Sequence, residues 1–372
     1  MTTLDNFQPR RIYVYSSVVD NDITKKILQK YEGVPMEIVE TQKATEIVPT
    51  KDKSFTSVVN DAKQLLMLGT TDNFIEHFPT RDEPYCAGLT KIKPITNGCY
   101  FSCEYCYLQQ TYRKIMPFIK FNVNCNDLVA QIKQRMAKGE KEVYDMGELQ
   151  DSLAFDELYP LTKILVPLFA KSDSKLLLLT KSDCIDNLLD LEHNGQTIVS
   201  WSINCDFVTD NLEHRTASLD QRIEAARKVQ EKGYEVRFRF DPLLMFDGWQ
   251  NKYAQMVEKV LSNVSPTRIT LGSFRLERGL FRHIRERFPR SILLDESKLA
   301  IITSKGQAKR VRFEDGKERY EPDIRAELYR FVIEEIKKRS DAVIALCKES
   351  VSMWEQAGLT LDKDNCKCHC KF

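Results

Sequence analysis

The sequence predicts an α/β fold built around a partial (β/α)6 barrel, because strand-like and helix-like patterns alternate along its middle. About six strand–helix pairs fit between residues 91 and 290, and pairs of this length imply parallel strands joined by right-handed crossovers. Lys175–Thr180 is a continuous apolar run, as expected for a parallel strand that is buried on both faces. Chemistry in barrels of this kind sits at the carboxyl ends of the strands, so we look there for candidate site residues.

The sequence patterns at the two ends of the chain differ from those in the middle. They predict segments that are added to the barrel. Residues 1–90 are predicted to form an N-terminal α/β segment, which begins with the strand Arg11–Tyr15. A helix over Asp20–Tyr31 and a strand over Glu37–Glu40 complete its β-α-β layer. Residues 291–372 are predicted to hold a basic β-hairpin, a C-terminal helix and a cysteine-rich tail.

The elements that follow are predicted from apolar runs and helical spacing. The predicted strands are Lys93–Thr96, Glu142–Met146, Lys175–Thr180, Ile198–Ile203, Val236–Phe240 and Arg268–Leu271, then the hairpin Ile292–Phe313 and the strand Ala342–Leu346. The predicted helices are Asn124–Gly139, Phe155–Phe169, Cys184–Leu191, Ser218–Lys232, Trp249–Leu261 and Asp323–Arg339. In one of these helices, Ser218 is suited to cap the start and Gly233 to end it.

The composition says more about the cellular compartment of the protein than about its binding partner. The 372 residues carry a formal net charge of +1, so any basic surface that attracts nucleic acid must be local. The first residues lack an apolar signal core, and no apolar run approaches the ~20 residues of a membrane span. We therefore expect a cytoplasmic protein, in which 11 cysteines favour metal or cluster binding over disulfides.

Three cysteines share one short loop, at a Cys-x3-Cys-x2-Cys spacing. Cys99, Cys103 and Cys106 can each supply a thiolate to one iron of a 4Fe–4S cluster, for which cysteine is the usual ligand. The fourth iron would then have no protein ligand and could bind another molecule. Zinc is the main competitor, but a structural zinc site takes four protein ligands and no second cysteine pair lies near. The spacing therefore predicts a redox cluster with one open iron.

The run GCYFSCEYCYLQQTY, which begins at Gly98, resembles the cluster loop of the radical S-adenosylmethionine (SAM) enzymes. Within that superfamily it resembles the spore photoproduct lyase family of DNA repair enzymes, and the likeness extends over most of residues 10–355. Other matching segments are Leu179–Lys181, Ser202–Asn204, Arg222–Ala226 and Gly248–Trp249. The resemblance implies a barrel of the radical SAM type, in which a reduced 4Fe–4S cluster cleaves SAM to a 5'-deoxyadenosyl radical. It also implies a lyase that acts on thymine photoproducts in DNA.

The resemblance places the SAM-binding residues at strand ends. Gly147 and Glu148 stand where many radical SAM enzymes have a Gly-Gly-Glu motif, whose glutamate binds the SAM amino group. A glycine lets backbone approach a ligand closely, and a carboxylate suits an ammonium group. Lys181 takes the place of a lysine that meets SAM, and Ser202, with Asn204 in the same segment, would contact the SAM carboxylate or ribose. A solvated carboxylate at Glu148 and a surface lysine at Lys181 are the alternatives.

Glu148 also marks a departure from the family pattern. The segment GELQDSLAFDEL matches a family segment in which a cysteine returns a hydrogen atom to the product radical, and Glu148 occupies the place of that cysteine. A carboxylate O–H bond is too strong to give up a hydrogen atom, so another thiol must act or the reaction differs. Cys184, Cys205 and the tail cysteines are candidates. Cys205 is preferred because it follows a strand end, and its alternative is a small packed residue.

Tyr105 and Tyr107 flank Cys106, and the family has tyrosines at both places. The resemblance implies a catalytic role in a radical relay or beside SAM, since a tyrosine O–H can pass on a hydrogen atom. Packing is the alternative, because aromatic rings exclude water from an iron–sulfur site.

Basic residues near the end of the barrel could meet the phosphate groups of DNA. The candidates are Arg275, Arg278, Lys305, Lys309 and Arg310. In the family a hairpin and nearby arginines hold DNA and flip out the damaged bases, which otherwise cannot reach a buried radical. Solvated charges on an exposed helix are the alternative.

The tail has cysteines at every second position, with a histidine between two of them. Cys366, Cys368 and Cys370 could bind zinc or a second cluster, since alternate spacing places their sulfurs on one side of an extended chain. A tail with redox-active thiols is the alternative.

Three hypotheses for function follow. The first is a spore photoproduct lyase-like radical SAM enzyme that receives its electron from a flavodoxin- or ferredoxin-like partner. The second keeps the radical chemistry but takes a peptide, RNA or small molecule as substrate, because Glu148 replaces the hydrogen-donor cysteine. The third is a non-catalytic, metal-binding nucleic-acid protein.

Overall fold

The structure, a computed structural model, describes residues 3–78, 89–111, 116–139, 141–277, 279–294, 311–312 and 318–360 and has a mixed α/β fold. Its strands are β1 (Arg11–Tyr15), β2 (Met36–Val39), β3 (Leu65–Gly69), β4 (Ile75–Phe78), β5 (Leu89–Ile92), β6 (Ile95–Thr96), β7 (Ser102–Cys103), β8 (Ile119–Asn122), β9 (Val143–Asp145), β10 (Lys175–Thr180), β11 (Thr197–Ser202), β12 (Glu213–His214), β13 (Glu235–Leu243), β14 (Arg268–Ser273), β15 (Arg275–Leu276), β16 (Val311–Arg312), β17 (Glu318–Arg319) and β18 (Val343–Leu346). Its α-helices are α1 (Asp22–Lys30), α2 (Ala44–Ile47), α3 (Phe55–Ala62), α4 (Leu108–Thr111), α5 (Cys125–Met136), α6 (Thr162–Phe169), α7 (Asp206–Leu212), α8 (Leu219–Glu231), α9 (Trp249–Asn263), α10 (Leu280–Arg287), α11 (Pro322–Lys337) and α12 (Val351–Gln356).

The chain divides into two compact units, and the first runs up to residue 78 and continues over 90–102 and 108–197. One of its sheets has the strand order β2-β1-β3-β8-β6, with β6 antiparallel to β8 and the other neighbours parallel. The predicted β-α-β arrangement of β1, α1 and β2 is confirmed, and β3 and β8 extend it. In the same unit, β9 pairs in parallel with both β5 and β10.

Aromatic rings fill the core of the first unit behind the start of the cysteine loop. Tyr100 is fully buried, and its ring centroid lies 5.4 Å from that of Phe7 and 5.1 Å from that of Phe155. Phe155 also contacts Phe121, with ring centroids 5.0 Å apart. The residue that follows Cys99 is therefore anchored in a packed core, so the first part of the loop has a fixed position.

The second unit contains residues 103–107 and the chain from residue 198 onward. Strands β11, β13, β14 and β18 pair in that order, and all are parallel. Trp201, Phe238 and Ile269 are register partners and fully buried, so they form one apolar face of this sheet. Arg239 and Thr270 are also register partners, and alternation along the strands places them on the opposite face, which is polar.

Helix α8 has the start that its sequence predicts. The Ser218 hydroxyl accepts a hydrogen bond from the Gln221 N–H, and the Gln221 side chain accepts one from the Ser218 N–H. This reciprocal pair is a capping box, which satisfies two of the donors that a helix start leaves unpaired. Gly233 has φ of 86°, so the glycine ends the helix as predicted.

Several elements differ from the prediction for local reasons. The helix predicted over Phe155–Phe169 begins only at Thr162, whose N–H and hydroxyl both donate to the Asp156 carboxylate. The strand predicted from Ile292 is wrong at its start, because Ile292–Leu294 is a 3-10 turn capped by the Ser291 hydroxyl. The rest of the predicted hairpin falls largely outside the described residues, and the domain boundaries at 90 and 290 stay predictions. Among the described helices, none is long and apolar enough to cross a membrane.

Candidate functional site

The three loop cysteines are held by backbone contacts, and none of them is in a disulfide. In the first unit Cys99 is half-buried, and its N–H donates to the Asn97 carbonyl at 2.9 Å, while its own carbonyl accepts from Lys63 Nζ. In the second unit Cys103 is buried and Cys106 is half-buried, and the Cys106 N–H donates to the Cys103 carbonyl at 3.2 Å. These hydrogen bonds therefore fix the backbone of the loop on both sides of its middle.

The donor set of this loop fits a 4Fe–4S cluster by its chemistry, since it offers three cysteine thiols and no disulfide. Each thiolate of such a cluster binds a different iron, so the sulfurs need not converge on one point. In the part of the chain that the structure describes, no three histidine, cysteine or acidic side chains converge as the ligands of a single ion would.

Gly147 and Glu148 follow β9, as predicted. A Cβ atom on Gly147 would lie 2.4 Å from the Cβ of Leu179, so packing against the neighbouring strand already requires a glycine here. The Gly147 N–H donates to the Asp145 carboxylate at 2.6 Å, which fixes the turn that leads to the half-buried Glu148. Glycine at this place is therefore explained without a ligand, and the SAM contact of Glu148 stays a prediction.

Asp151 connects the segment after β9 to the end of β10. Its carboxylate accepts hydrogen bonds from the Thr180 hydroxyl at 2.7 Å and from the Lys181 N–H at 2.8 Å. It also accepts from the N–H groups of Leu153 and Ala154, at 3.1 and 2.9 Å. Burial raises the pKa of this carboxyl, and the four donors oppose that shift. The backbone of Lys181 is thereby fixed, while its side chain is half-buried.

Ser202 and Asn204 lie at the end of β11 in the second unit. The Ser202 hydroxyl donates to the Asp241 carbonyl at 3.4 Å. Asn204 is buried, and its Nδ2 donates to the Pro242 carbonyl at 2.7 Å, so this amide already has a backbone partner. Both side chains are thus buried and bonded to backbone carbonyls, and their contacts with SAM stay predictions.

Cys205 lies at the start of α7 and is 1% exposed. Burial raises the pKa of its thiol to about 12, so the thiol keeps its proton at neutral pH. Hydrogen-atom donation requires this protonated form. Cys184 in the first unit is also buried, and its sulfur lies 3.7 Å from the Thr3 hydroxyl.

Tyr105 and Tyr107 have different surroundings. The Tyr105 hydroxyl donates to one oxygen of the Glu213 carboxylate, and Arg222 Nη2 binds the other oxygen at 2.6 Å. Burial, together with the charge of Glu213, raises the pKa of Tyr105 well above its ordinary value. Tyr107 is 37% exposed. The two predicted relay residues therefore differ, in that Tyr105 is half-buried and bonded to Glu213, whereas Tyr107 is exposed.

Arg275, a predicted DNA contact, binds groups of its own protein. Its guanidinium binds the Asp241 carboxylate, and its Nη1 donates to the Cys347 carbonyl at 2.8 Å. Arg239 donates to the same carboxylate at 2.9 Å, and its Nη2 lies 3.2 Å from the Cys347 sulfur. A Cβ atom on Gly272 would lie 2.6 Å from that carboxylate. These contacts form a compact polar cluster at the carboxyl ends of β13, β14 and β18.

The remaining predicted contacts lie outside the described residues. They are Arg278, Lys305, Lys309 and Arg310 for DNA, and Cys366, Cys368 and Cys370 for a second metal or cluster.

Sequence reasoning missed the buried pair of Arg222 and Glu213. A signal for it was available, because Arg222 lies on the same face of α8 as Ala226 and Val229, both of which are buried. A charged residue in an apolar stripe at helical spacing indicates a buried ion pair. No comparable signal marks Glu213, whose partners are distant in sequence.

Comparison with known proteins gives consistent matches. A family model described as spore photoproduct lyase matches residues 7–344. A spore photoproduct lyase of Bacillus subtilis is 30% identical over 259 residues, which cover 68% of this chain and 73% of the relative. A spore photoproduct lyase of Clostridium acetobutylicum is 28% identical over 339 residues, which cover 88% and 95%.

Solved structures agree with these matches at the level of the fold. A spore photoproduct lyase mutant with dinucleoside spore photoproduct superposes with a TM-score of 0.76 at 24% identity, over 91% of this chain and 98% of that one. A spore photoproduct lyase double mutant with bound AdoMet and dinucleoside spore photoproduct gives a TM-score of 0.74 at 24% identity. This match also covers 91% of this chain and 98% of that one.

Proposed function

The chain belongs to the spore photoproduct lyase family and is a radical SAM lyase, and on that premise we propose that it repairs thymine photoproducts in DNA. The observation that carries the proposal is the loop of Cys99, Cys103 and Cys106 in a chain that the family model matches from residue 7 to residue 344. Membership in a family of enzymes argues against the hypothesis of a non-catalytic metal-binding protein.

The proposal assigns residues of this chain to each of the two cofactors. Cys99, Cys103 and Cys106 would hold the 4Fe–4S cluster, and the SAM contacts would come from Gly147, Glu148, Lys181, Ser202 and Asn204. When bound, the cluster and SAM supply a reductive cleavage to a 5'-deoxyadenosyl radical, which can take a hydrogen atom from a substrate carbon. The protein holds its own part of this site in advance, since Asp151 fixes the backbone of Lys181 and Arg222 fixes the carbonyl of Ser202.

Cys205 would return the hydrogen atom to the product radical, because Glu148 cannot. The step breaks the Cys205 S–H bond, forms a C–H bond on the substrate and leaves a sulfur radical. Tyr105 and Tyr107 would then restore the thiol by passing on a hydrogen atom, and the tyrosyl radical left behind would be reduced by an electron from the donor protein and a proton from water. The support for Cys205 is its place directly after Asn204 at the end of β11, where its buried thiol also keeps its proton.

The finer features of architecture and partners also belong to the proposal. The parallel strands would form the partial (β/α)6 barrel of the radical SAM type, and a flavodoxin- or ferredoxin-like protein of the cytoplasm would supply the electron. Arg278, Lys305, Lys309 and Arg310 would meet DNA phosphates. Arg275 could do so only by leaving Asp241, so its part in DNA binding would be the weakest of the five.

A second candidate keeps the radical chemistry and changes the substrate to a peptide, RNA or small molecule. It is favoured by Glu148, which stands in the place of the family's hydrogen-donor cysteine.

The test is repair of a defined substrate. The anaerobically reconstituted protein is incubated with DNA that contains the thymine photoproduct, SAM and dithionite, and recovered thymine and 5'-deoxyadenosine are measured. We expect both products, and we expect neither from a variant that combines Cys99→Ala, Cys103→Ala and Cys106→Ala, because that variant cannot hold the cluster. Formation of 5'-deoxyadenosine without recovered thymine would favour the second candidate, and unchanged 5'-deoxyadenosine in the triple variant would refute the site.

A further inference from the structure

We propose that Glu213 is the positioning residue for Tyr105, and that through Tyr105 it holds the Cys103–Cys106 turn where the cofactors need it. The inference rests on the proposed function and names a residue that acts on the site without touching the reacting atoms.

Each of the three successive residues 212–214 makes a hydrogen bond to the cysteine loop. The Glu104 N–H donates to the Leu212 carbonyl at 2.9 Å. The Tyr105 hydroxyl donates to the Glu213 carboxylate, and the His214 ring bonds the Glu104 carboxylate at 2.7 Å. Glu104 and Tyr105 are thus bonded to Leu212, Glu213 and His214, which fixes the segment between Cys103 and Cys106.

Of these residues, Glu213 carries a charge that is fully buried. Its side chain and that of Arg222 are both 0% exposed, and they are 2.6 Å apart. A buried carboxylate and guanidinium are retained at low cost only when their remaining polar atoms are also satisfied. One carboxylate oxygen is satisfied by Arg222, and the other accepts from Tyr105. The hydrogen bond from Tyr105 therefore lowers the free-energy cost of burying the Glu213 charge. The tyrosine ring and the carboxylate hold each other in place.

Arg222 extends the connection to the end of β11. Its Nη1 donates to the Ser202 carbonyl at 2.9 Å, and its Nε donates to the Ala217 carbonyl at 2.9 Å. Glu213 and Arg222 together join the Tyr105 hydroxyl to the backbone of Ser202. Both ends of this connection are positions that the proposed function places beside the cofactors, which a purely structural ion pair would not require.

A matched control exists in the same unit. Glu349 is also buried, binds the Arg325 guanidinium and accepts from the Tyr329 hydroxyl at 2.8 Å. It reproduces the arginine, carboxylate and tyrosine of the Glu213 arrangement, but its partners Ser273, Arg325 and Tyr329 lie outside the cysteine loop. Substitution of either glutamate therefore removes a buried charge, but only substitution of Glu213 should affect the cofactors.

The experiment compares Glu213→Gln with Glu349→Gln in the reconstituted, dithionite-reduced full chain. The readouts are iron content, the electron paramagnetic resonance spectrum of the cluster with and without SAM, and recovered thymine per 5'-deoxyadenosine. We expect both variants to unfold at lower temperature. We expect only Glu213→Gln to shift the g values of the SAM-bound cluster and to lower the thymine ratio, by roughly tenfold.

A second variant covers the case in which Glu213→Gln does not fold. Tyr105→Phe keeps the Arg222–Glu213 pair and removes only the hydroxyl, and Tyr329→Phe is its control. The same shift of the g values is expected in Tyr105→Phe alone. Unchanged g values in Tyr105→Phe, or equal changes in the Glu349 and Tyr329 variants, would overturn the inference. A wild-type protein that shows no cluster signal would instead overturn the proposed function, and this inference would fall with it.

Discussion

At the scale of single residues, return of a hydrogen atom to the product radical depends on the strength of the donor's bond to that hydrogen. The S–H bond of Cys205 is weak enough to be broken by a carbon radical, whereas the O–H bond of a protonated Glu148 is not. Burial keeps the Cys205 thiol protonated, so the donor is present at neutral pH. On the proposed function the two residues would divide the work, since Cys205 would return the hydrogen atom and Glu148 would bind the SAM amino group.

Substitution of the donor tests this separation. We expect Cys205→Ala to form 5'-deoxyadenosine but to lose recovered thymine, because the product radical then lacks a hydrogen source. Adding Glu148→Cys to that variant should restore part of the repair, since a thiol would again stand where the family has one. Both products are measured by chromatography after incubation with photoproduct DNA.

The control for this prediction is Cys184→Ala, which removes another buried thiol. It should leave the ratio of thymine to 5'-deoxyadenosine unchanged. Full repair by Cys205→Ala would contradict the assignment of the donor.

At the scale of elements, helix α8 carries the buried arginine and depends on its first turn. Ser218→Ala removes one half of the capping box and should lower the free energy of unfolding by about 1 kcal/mol. Denaturant unfolding followed by circular dichroism measures the change. Ser262→Ala, in the last turn of α9, serves as the control, because it removes a hydroxyl that donates to the Glu258 carbonyl but removes no cap. Equal losses in the two variants would mean that the cap contributes nothing.

The same helix shows what sequence can predict about elements. Ser218 and Gly233 mark its ends because capping chemistry is local, and α8 was predicted within one residue of its bounds. Strand β8 was missed, since the short segment Ile119–Asn122 becomes a strand only by pairing with β3 and β6. Local signals thus predict isolated elements well, and non-local pairing decides the rest.

The candidate site follows the same division. The sequence predicts Cys99, Cys103 and Cys106 as cluster ligands because three candidate metal-binding side chains share one loop, and that role stays a prediction. The partners of Tyr105 and Arg275 could not, because Glu213 and Asp241 reach them from distant parts of the chain. Spacing indicates which residues bind a cofactor, whereas the groups that hold those residues become visible only in the fold.

At the scale of the whole molecule, one buried carboxyl makes stability depend on pH. Burial raises the pKa of Asp156 to about 6, above the ordinary value for aspartate. The folded protein therefore binds this proton more tightly than the unfolded chain does. The free energy of unfolding should fall as the pH rises from about 4 to about 6, by about 3 kcal/mol for a shift of two pKa units.

Denaturant midpoints of the cluster-free protein between pH 4 and pH 7 measure this dependence. Asp156→Asn should flatten the fall, because the neutral amide has no proton to lose. Asp20→Asn alters an exposed carboxylate and should leave the slope as it is. An identical slope in the Asp156 variant would show that other groups cause the dependence.

The four hydrogen bonds at Asp151 have a consequence for protein engineering. A single carboxylate links the segment after β9 to the backbone of Lys181, so the two stretches cannot be exchanged independently between homologues. A chimera that imports a foreign segment here should retain the aspartate and its threonine partner Thr180. Gly147 must also be kept because a Cβ atom there would clash with Leu179, and Gln150 because it is buried and accepts from the Ile95 N–H. Positions 148 and 149 are then the natural place to graft new chemistry, because a change there leaves the hydrogen bonds of Asp151 intact.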